Sequence, residues 1–139
     1  MRFKITFEKT AAMRYTSHLD LQRTWERTLR RARVPLAYSQ GFSPHPKINL
    51  GAALPLGFTS QAEIIEVWLD EQWTLKEFES ALTPALPPGL AITNIEETEL
   101  RSPKVQNLIH TTQYTVDLRE PRPEMSQQVD RLMESQTLI

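Results

Sequence analysis

The sequence predicts an α+β fold, a ferredoxin-like β-α-β-β-α-β sandwich in which two helices pack on one antiparallel sheet. Three observations predict it. Residues 2–9 alternate apolar and polar side chains, which is the period of a strand with one buried face. Two later segments carry apolar residues at helical spacing behind a capping signal. Short segments rich in β-branched and aromatic residues supply the other strands.

The first helix is predicted to begin behind Ser17, an N-cap residue with Asp20 three positions later. We expect Pro35 to end it, because proline lacks the N–H group that a helix needs and its ring clashes with the preceding turn. The residues predicted to face the core form one stripe: Leu21, Trp25, Thr28, Leu29 and Ala32.

Two short strands are predicted next, at residues 36–39 and 47–53, on either side of a loop that two prolines stiffen. A longer strand follows at residues 62–69, where β-branched residues are frequent. We therefore expect a hairpin between the last two strands, with its turn near residues 57–61.

The second helix begins at a predicted capping box, in which Thr74 and Glu77 satisfy each other's backbone N–H groups. Apolar residues at helical spacing continue to Leu86, where a proline pair ends the pattern. Residues 90–100 are predicted to form the strand that completes the unit. Residues 1–102 are thus predicted to form one ferredoxin-like domain.

The rest of the chain, residues 103–139, is predicted to be the start of a second, incomplete ferredoxin-like repeat. Alternating apolar residues favour a strand at 109–118, and helical spacing favours a helix at 123–135. The last three residues, 137–139, resemble the opening of a further strand.

The composition excludes several classes of protein. The 139 residues contain no cysteine, which excludes disulfides, thiolate zinc sites and iron–sulfur clusters held by this chain alone. No apolar run approaches the roughly 20 residues that span a bilayer, and the N-terminal segment lacks the apolar core of a secretory signal. We expect a soluble cytoplasmic protein without a membrane partner, a cofactor or a bound metal.

The charge of the chain is divided unevenly. Residues 1–50 contain ten Lys+Arg against three Asp+Glu, a net charge of +7, whereas residues 51–139 have a net charge of -8. On the first predicted helix, four arginines share the face opposite the core: Arg23, Arg27, Arg30 and Arg31. Such density favours bidentate contact with phosphate groups and hence an RNA partner. The plainer alternative is a solvated surface with a Glu26–Arg30 pair.

Aromatic residues interleave with these cations. Tyr15 and Phe42 flank the helix in sequence, and an exposed ring at either position can stack on an unpaired base. Packing inside the core is the alternative. The glycines and prolines of residues 39–57 are predicted to turn the chain against the C-terminal end of this helix and to bring the loop beside Arg14 and Tyr15. A β-bulge and a tight hairpin are the structural alternative. The predicted nucleic-acid site comprises Arg14, Tyr15, Arg23, Arg27, Arg30, Arg31, Phe42, His45 and Lys47.

The histidines show no metal-ligand spacing. His45 lies between two prolines, which suits either a well-packed loop or a catalytic imidazole held in place. If the protein is an enzyme, we expect a metal-independent endoribonuclease in which His45 or His18 is the general acid or base. A third alternative is a protein–protein scaffold whose arginine face binds an acidic partner.

Several motifs resemble those of a known bacterial family. SHLDLQR at residues 17–23, YSQGFSPHPK at 38–47 and LPLG at 54–57 are similar to the radical SAM-linked proteins, a family of unknown function. The resemblance implies a partnership with a radical SAM protein. A chain without cysteine cannot hold the three-thiolate cluster of such an enzyme, so the leading interpretation is a noncatalytic RNA-binding accessory domain in RNA modification or ribosome-associated processing.

Overall fold

A computed structural model describes residues 1–135 as a mixed α+β structure built on a four-stranded antiparallel sheet. The strands are β1 (Arg2–Lys9), β2 (Ile48–Leu50), β3 (Ser60–Trp68) and β4 (Leu90–Glu97). The helices are α1 (His18–Arg31), α2 (Leu75–Leu82) and α3 (Met125–Glu134). The strand order across the sheet is β2-β3-β1-β4, and each neighbouring pair is antiparallel.

The core lies between one face of the sheet and the helices α1 and α2. Phe3 and Phe7 are fully buried and point to the same side of β1, as the alternation of a strand requires. Phe3 stacks on Phe78 of α2 with 4.4 Å between ring centroids, and Phe7 meets the edge of Trp25 of α1 at 4.8 Å. Both helices therefore cover the same face of the sheet.

Both predicted N-caps are confirmed. The Ser17 hydroxyl accepts a hydrogen bond from the Asp20 N–H group, at 3.2 Å, and so caps α1. At the start of α2 the Thr74 hydroxyl accepts from the Glu77 N–H group, and the Glu77 carboxylate accepts from the Thr74 N–H group at 2.7 Å. Side chains that satisfy the free N–H groups of a first turn fix where a helix begins.

The capping box gives the protein a specific pH dependence. Hydrogen bonds from the Thr74 N–H group and hydroxyl lower the pKa of the Glu77 carboxyl. Since the folded-state pKa is lower than the unfolded one, the stabilisation is present above the ordinary carboxyl pKa and is lost as pH falls through the folded-state value. Urea unfolding across this acidic range should show a weaker pH dependence for Glu77→Gln than for the parent chain. Equal pH dependence of both would contradict this.

The end of α1 differs from the prediction. The helix ends at Arg31, before the expected stop at Pro35. Arg33 adopts a left-handed conformation with φ of 57°, and the Val34 N–H group then donates to the Leu29 carbonyl at 3.1 Å. This arrangement satisfies a free carbonyl of the last turn and reverses the chain. A left-handed arginine terminates the helix before the proline is reached.

The strand predicted at residues 36–39 is wrong, and two others are shorter than predicted. Residues 36 and 38 form only isolated bridges, Leu36 with Leu69 and Tyr38 with Pro46. The prolines around this segment lack the N–H groups that would extend a ladder. β2 has three residues and β4 stops at Glu97, and the connection between β2 and β3 takes all of residues 51–59.

The far face of the sheet is covered at one end by the chain that follows β4. Arg2 and Glu66 lie on this face, each 1 % exposed, and form an ion pair. Glu66 also accepts from the Val105 N–H group at 3.1 Å. The Arg2 guanidinium donates to the backbone carbonyls of Glu99, Ser102 and Pro103. These bonds fix residues 99–105 on the sheet.

The prediction for the C-terminal part is partly wrong. Residues 109–118 have no regular secondary structure, because no neighbouring strand within residues 1–135 pairs with them. The predicted helix is present as α3, and the three residues predicted as its apolar contacts are exposed: Val129, Leu132 and Met133. The predicted strand opening at 137–139 lies outside the described residues. That residues 103–139 begin a second repeat stays a prediction.

Candidate nucleic-acid interface

The helix α1 presents a row of arginines to solvent. Leu21, Trp25 and Leu29 are buried against the sheet, so the opposite face of the helix points outward. Four exposed arginines occupy that face, and we call them the arginine surface: Arg23, Arg27, Arg30 and Arg31.

Intramolecular contacts leave most of this charge available. Arg23 lies 3.9 Å from the Asp20 carboxylate, and both side chains are more than half exposed, so the pair is weak. Arg31 donates to the Ala85 carbonyl and thereby ties α1 to the turn after α2. Within residues 1–135, the Arg27 and Arg30 side chains form no hydrogen bond or ion pair, and the Glu26–Arg30 pair is absent.

Some of the cations counted from the sequence are not on the surface. Arg2 is buried in its pair with Glu66, and Lys4 pairs with Glu96. Lys9 is 1 % exposed, donates to the Thr16 carbonyl at 2.8 Å, and has its pKa lowered by burial. The exposed positive charge of residues 1–50 therefore lies mainly on α1 and the segments beside it.

Hydrogen bonds across the neck of the loop at residues 39–45 close it. The Ser39 N–H group donates to the His45 carbonyl at 2.9 Å, and the His45 N–H group donates to the Ser39 hydroxyl at 3.1 Å. The same hydroxyl lies 3.0 Å from His45 Nδ1. Gly41 has φ of 130°, a conformation that side chains disfavour, and the next residue, Phe42, is fully exposed at the tip.

Arg14 and Tyr15 lie at the end of the sheet where β1 ends. They follow the Lys9 end of β1, where the Gly57 N–H group donates to the Arg14 carbonyl at 2.8 Å. Tyr15 is 76 % exposed there. The connection between β2 and β3 also places Phe58 at this end, in edge contact with Tyr114 at 6.0 Å.

The loop lies at the Arg2 end of β1. The Trp68 N–H group donates to the Lys47 carbonyl at 3.1 Å, and Trp68 pairs with Arg2 in the sheet. The two ends are separated by the length of β1, roughly 23 Å at about 3.3 Å per residue. The predicted proximity of the loop to Arg14 and Tyr15 is therefore wrong, because α1 carries the chain from one end of the sheet to the other.

This separation also divides the two candidate catalytic histidines. His18 is the first residue of α1, at the Lys9 end, and its Nδ1 atom is buried without a hydrogen-bond partner in the described residues. His45 belongs to the loop at the opposite end. The two imidazoles cannot act as an acid–base pair on one substrate. Within residues 1–135, no three His, Asp or Glu side chains cluster as a metal-binding group.

Two residues beside the loop were missing from the predicted site. Arg33 is exposed just beyond the arginine surface, and Tyr38 is 41 % exposed at the base of the loop. The sequence pointed to Arg33, because it is one of six basic residues that lie between positions 14 and 33 against two acidic ones. The sequence does not show whether Tyr38 is exposed or buried, because it follows the apolar residues Leu36 and Ala37, which are themselves buried.

Comparisons with known proteins place the chain in a family without assigning an activity. Within residues 1–135, no helix is both long and apolar enough to cross a membrane. No curated protein and no solved structure matches the chain. A family model described as "Uncharacterized protein conserved in bacteria (DUF2344)" matches residues 2–139, nearly the whole chain, and the protein belongs to this bacterial family.

Proposed function

We propose that the protein is a noncatalytic RNA-binding module whose arginine surface contacts the phosphate backbone. One observation carries the proposal: Arg27 and Arg30 are exposed, and among residues 1–135 they have no acidic partner. Uncompensated guanidinium groups on a rigid helix favour an external anion, because their planar donors match phosphate oxygens.

The spacing of the arginine surface suits a chain of phosphates. Arg23, Arg27 and Arg30 are four and three positions apart, which is roughly 6 Å and 4.5 Å along the helix axis. Several anions of one polymer can therefore be contacted together. The release of counterions then makes the affinity fall steeply as salt rises.

We extend the proposal to fold type and partner. The element order β1-α1-β2-β3-α2-β4, with both helices on one face, supports a ferredoxin-like unit. The resemblance of residues 17–23, 38–47 and 54–57 to motifs of radical SAM-linked proteins supports an accessory role beside a radical SAM protein in the cytoplasm. In that role this chain holds the RNA, and the partner carries out the modification.

The test is charge reversal on the arginine surface. The variant Arg23→Glu, Arg27→Glu, Arg30→Glu should bind fluorescently labelled RNA at least about tenfold more weakly than the parent chain, since three phosphate contacts are lost. The plot of log affinity against log salt should also become shallower, by about 0.7 per contact for single-stranded RNA. Fluorescence anisotropy at several salt concentrations measures both quantities.

The matched control carries three charge reversals elsewhere on the surface. Lys76, Arg119 and Arg131 are exposed and lie outside α1, so their replacement by glutamate changes the net charge equally. This control should keep most of the RNA affinity. An equal loss of RNA affinity in both triple variants would show that net charge alone sets the affinity, and it would contradict the proposal. Tighter binding of polyglutamate than of RNA would favour the scaffold alternative.

A further inference from the structure

The tip of the loop at residues 39–45 exposes a large aromatic ring that the fold does not use. Phe42 is fully exposed, whereas Phe3, Phe7 and Phe78 are fully buried. Its ring therefore contributes nothing to the core and has both of its faces in solvent. Phe42 is the most exposed of the large apolar side chains in residues 1–135.

The loop that carries this ring is closed at its neck. Hydrogen bonds between Ser39 and His45 close the neck, and Pro46 below it is buried. Pro44 restricts the backbone on one side of the tip by fixing its own φ angle. Closure of the neck removes part of the backbone freedom that the loop would otherwise lose on binding a ligand.

The position of the loop relates it to the arginine surface. α1 ends at Arg31, and the chain then passes directly to Ala37, whose N–H group donates to the Trp68 carbonyl at 2.8 Å. The loop thus lies at the end of the molecule that carries Arg30 and Arg33. Residues 38–47 contain Lys47 and no acid, so the loop does not repel a polyanion.

We infer that Phe42 stacks on an unpaired base of the RNA that the arginine surface holds, so that the ligand is RNA with single-stranded nucleotides. This inference rests on the proposed function. A flat ring with two free faces can stack on the face of any base, so such contacts depend little on the nucleotide sequence. Bases inside a continuous duplex are already stacked on their neighbours and offer no free face.

Other partners fit this loop less well. Insertion into a lipid surface needs several apolar side chains, and the neighbours of Phe42 include the polar residues Gln40 and Ser43. A protein partner would bury the ring in an apolar pocket, whereas the exposed cations Arg33 and Lys47 near the loop favour an anion. The arginine surface and the ring together suit a phosphate backbone with attached bases.

The experiment compares Phe42→Ala and Phe42→Tyr on single-stranded and fully duplex RNA of equal length. Loss of one stacked base corresponds to about 5- to 150-fold in affinity. Phe42→Ala should weaken single-strand binding within this range and leave duplex binding unchanged. Phe42→Tyr should restore it, because tyrosine stacks equally well. Far-UV circular dichroism should confirm that both variants are folded, since the ring contacts no core residue.

Each outcome separates this inference from the proposed function. If Phe42→Ala binds both RNAs like the parent while the arginine triple variant loses affinity, the stacking inference is wrong and the proposed function stands. If neither change affects binding to RNA, both are wrong. If Phe42→Ala instead weakens binding to vesicles of anionic phospholipid and leaves single-stranded RNA unaffected, the ring serves a lipid surface and the inference is overturned.

Discussion

Replacing Glu66 by glutamine is expected to lower the free energy of unfolding by about 3–5 kcal/mol, the usual effect of removing one partner of a buried ion pair. Glu66 and Arg2 are both 1 % exposed, so neither charge can turn to water when its partner is neutralised. Glu66 also accepts from the Val105 N–H group, and Arg2 binds three carbonyls of the same covering segment. The substitution leaves the Arg2 charge buried without its counter-charge.

The second ion pair of the same strand provides the control. Lys4 and Glu96 are paired on the sheet but remain 30 % and 46 % exposed. Glu96→Gln makes the same chemical change in a solvated pair, so we expect a loss of about 1 kcal/mol or less. Urea unfolding of both variants measures the difference. Similar losses in the two variants would show that burial does not set the strength of the Arg2–Glu66 pair.

Truncation of Trp25 to alanine is expected to destabilise the protein by about 3–5 kcal/mol, the range for removing a large aromatic side chain from a core. Trp25 is fully buried and meets the ring of Phe7. Its indole Nε1 has no hydrogen-bond partner among the described residues. Trp25→Phe removes this unsatisfied donor and keeps an aromatic ring, so its loss should be less than half that of Trp25→Ala.

Thermal and urea unfolding of the two variants test this comparison. Tyr15→Ala is the surface control, because that ring is 76 % exposed, and its effect should stay within about 0.5 kcal/mol. If Trp25→Phe proved as destabilising as Trp25→Ala, the shape of the indole would matter and its unpaired N–H group would not.

Features with a local cause could be predicted from the sequence. The N-caps at Ser17 and Thr74 depend on residues within four positions, and both are confirmed. The buried face of β1 follows from its alternation, and the outward face of α1 follows from its apolar stripe. The exposure of the arginine surface was predictable for that reason.

Two features depended on contacts between distant residues. Arg2 and Lys9 add to the positive charge of residues 1–50 in the sequence, but both are buried in the structure. Arg2 is covered by its bond to Glu66, 64 positions away, and by the segment after β4. Residues 109–118 alternate like a strand, yet a strand needs a neighbour, and the sheet supplies none to them within residues 1–135.

By itself the sequence determined the helix starts, the core stripe and the outward arginines, because neighbouring residues in one helix or strand fix these features. Only the tertiary structure decided which cations are buried and which candidate residues share a surface. Tyr15 and Phe42 flank the same helix in sequence, but α1 spans the sheet and sets them at opposite ends. Two residues that flank a long helix in the sequence lie far apart in space, because each helical residue advances the chain by about 1.5 Å along the helix axis.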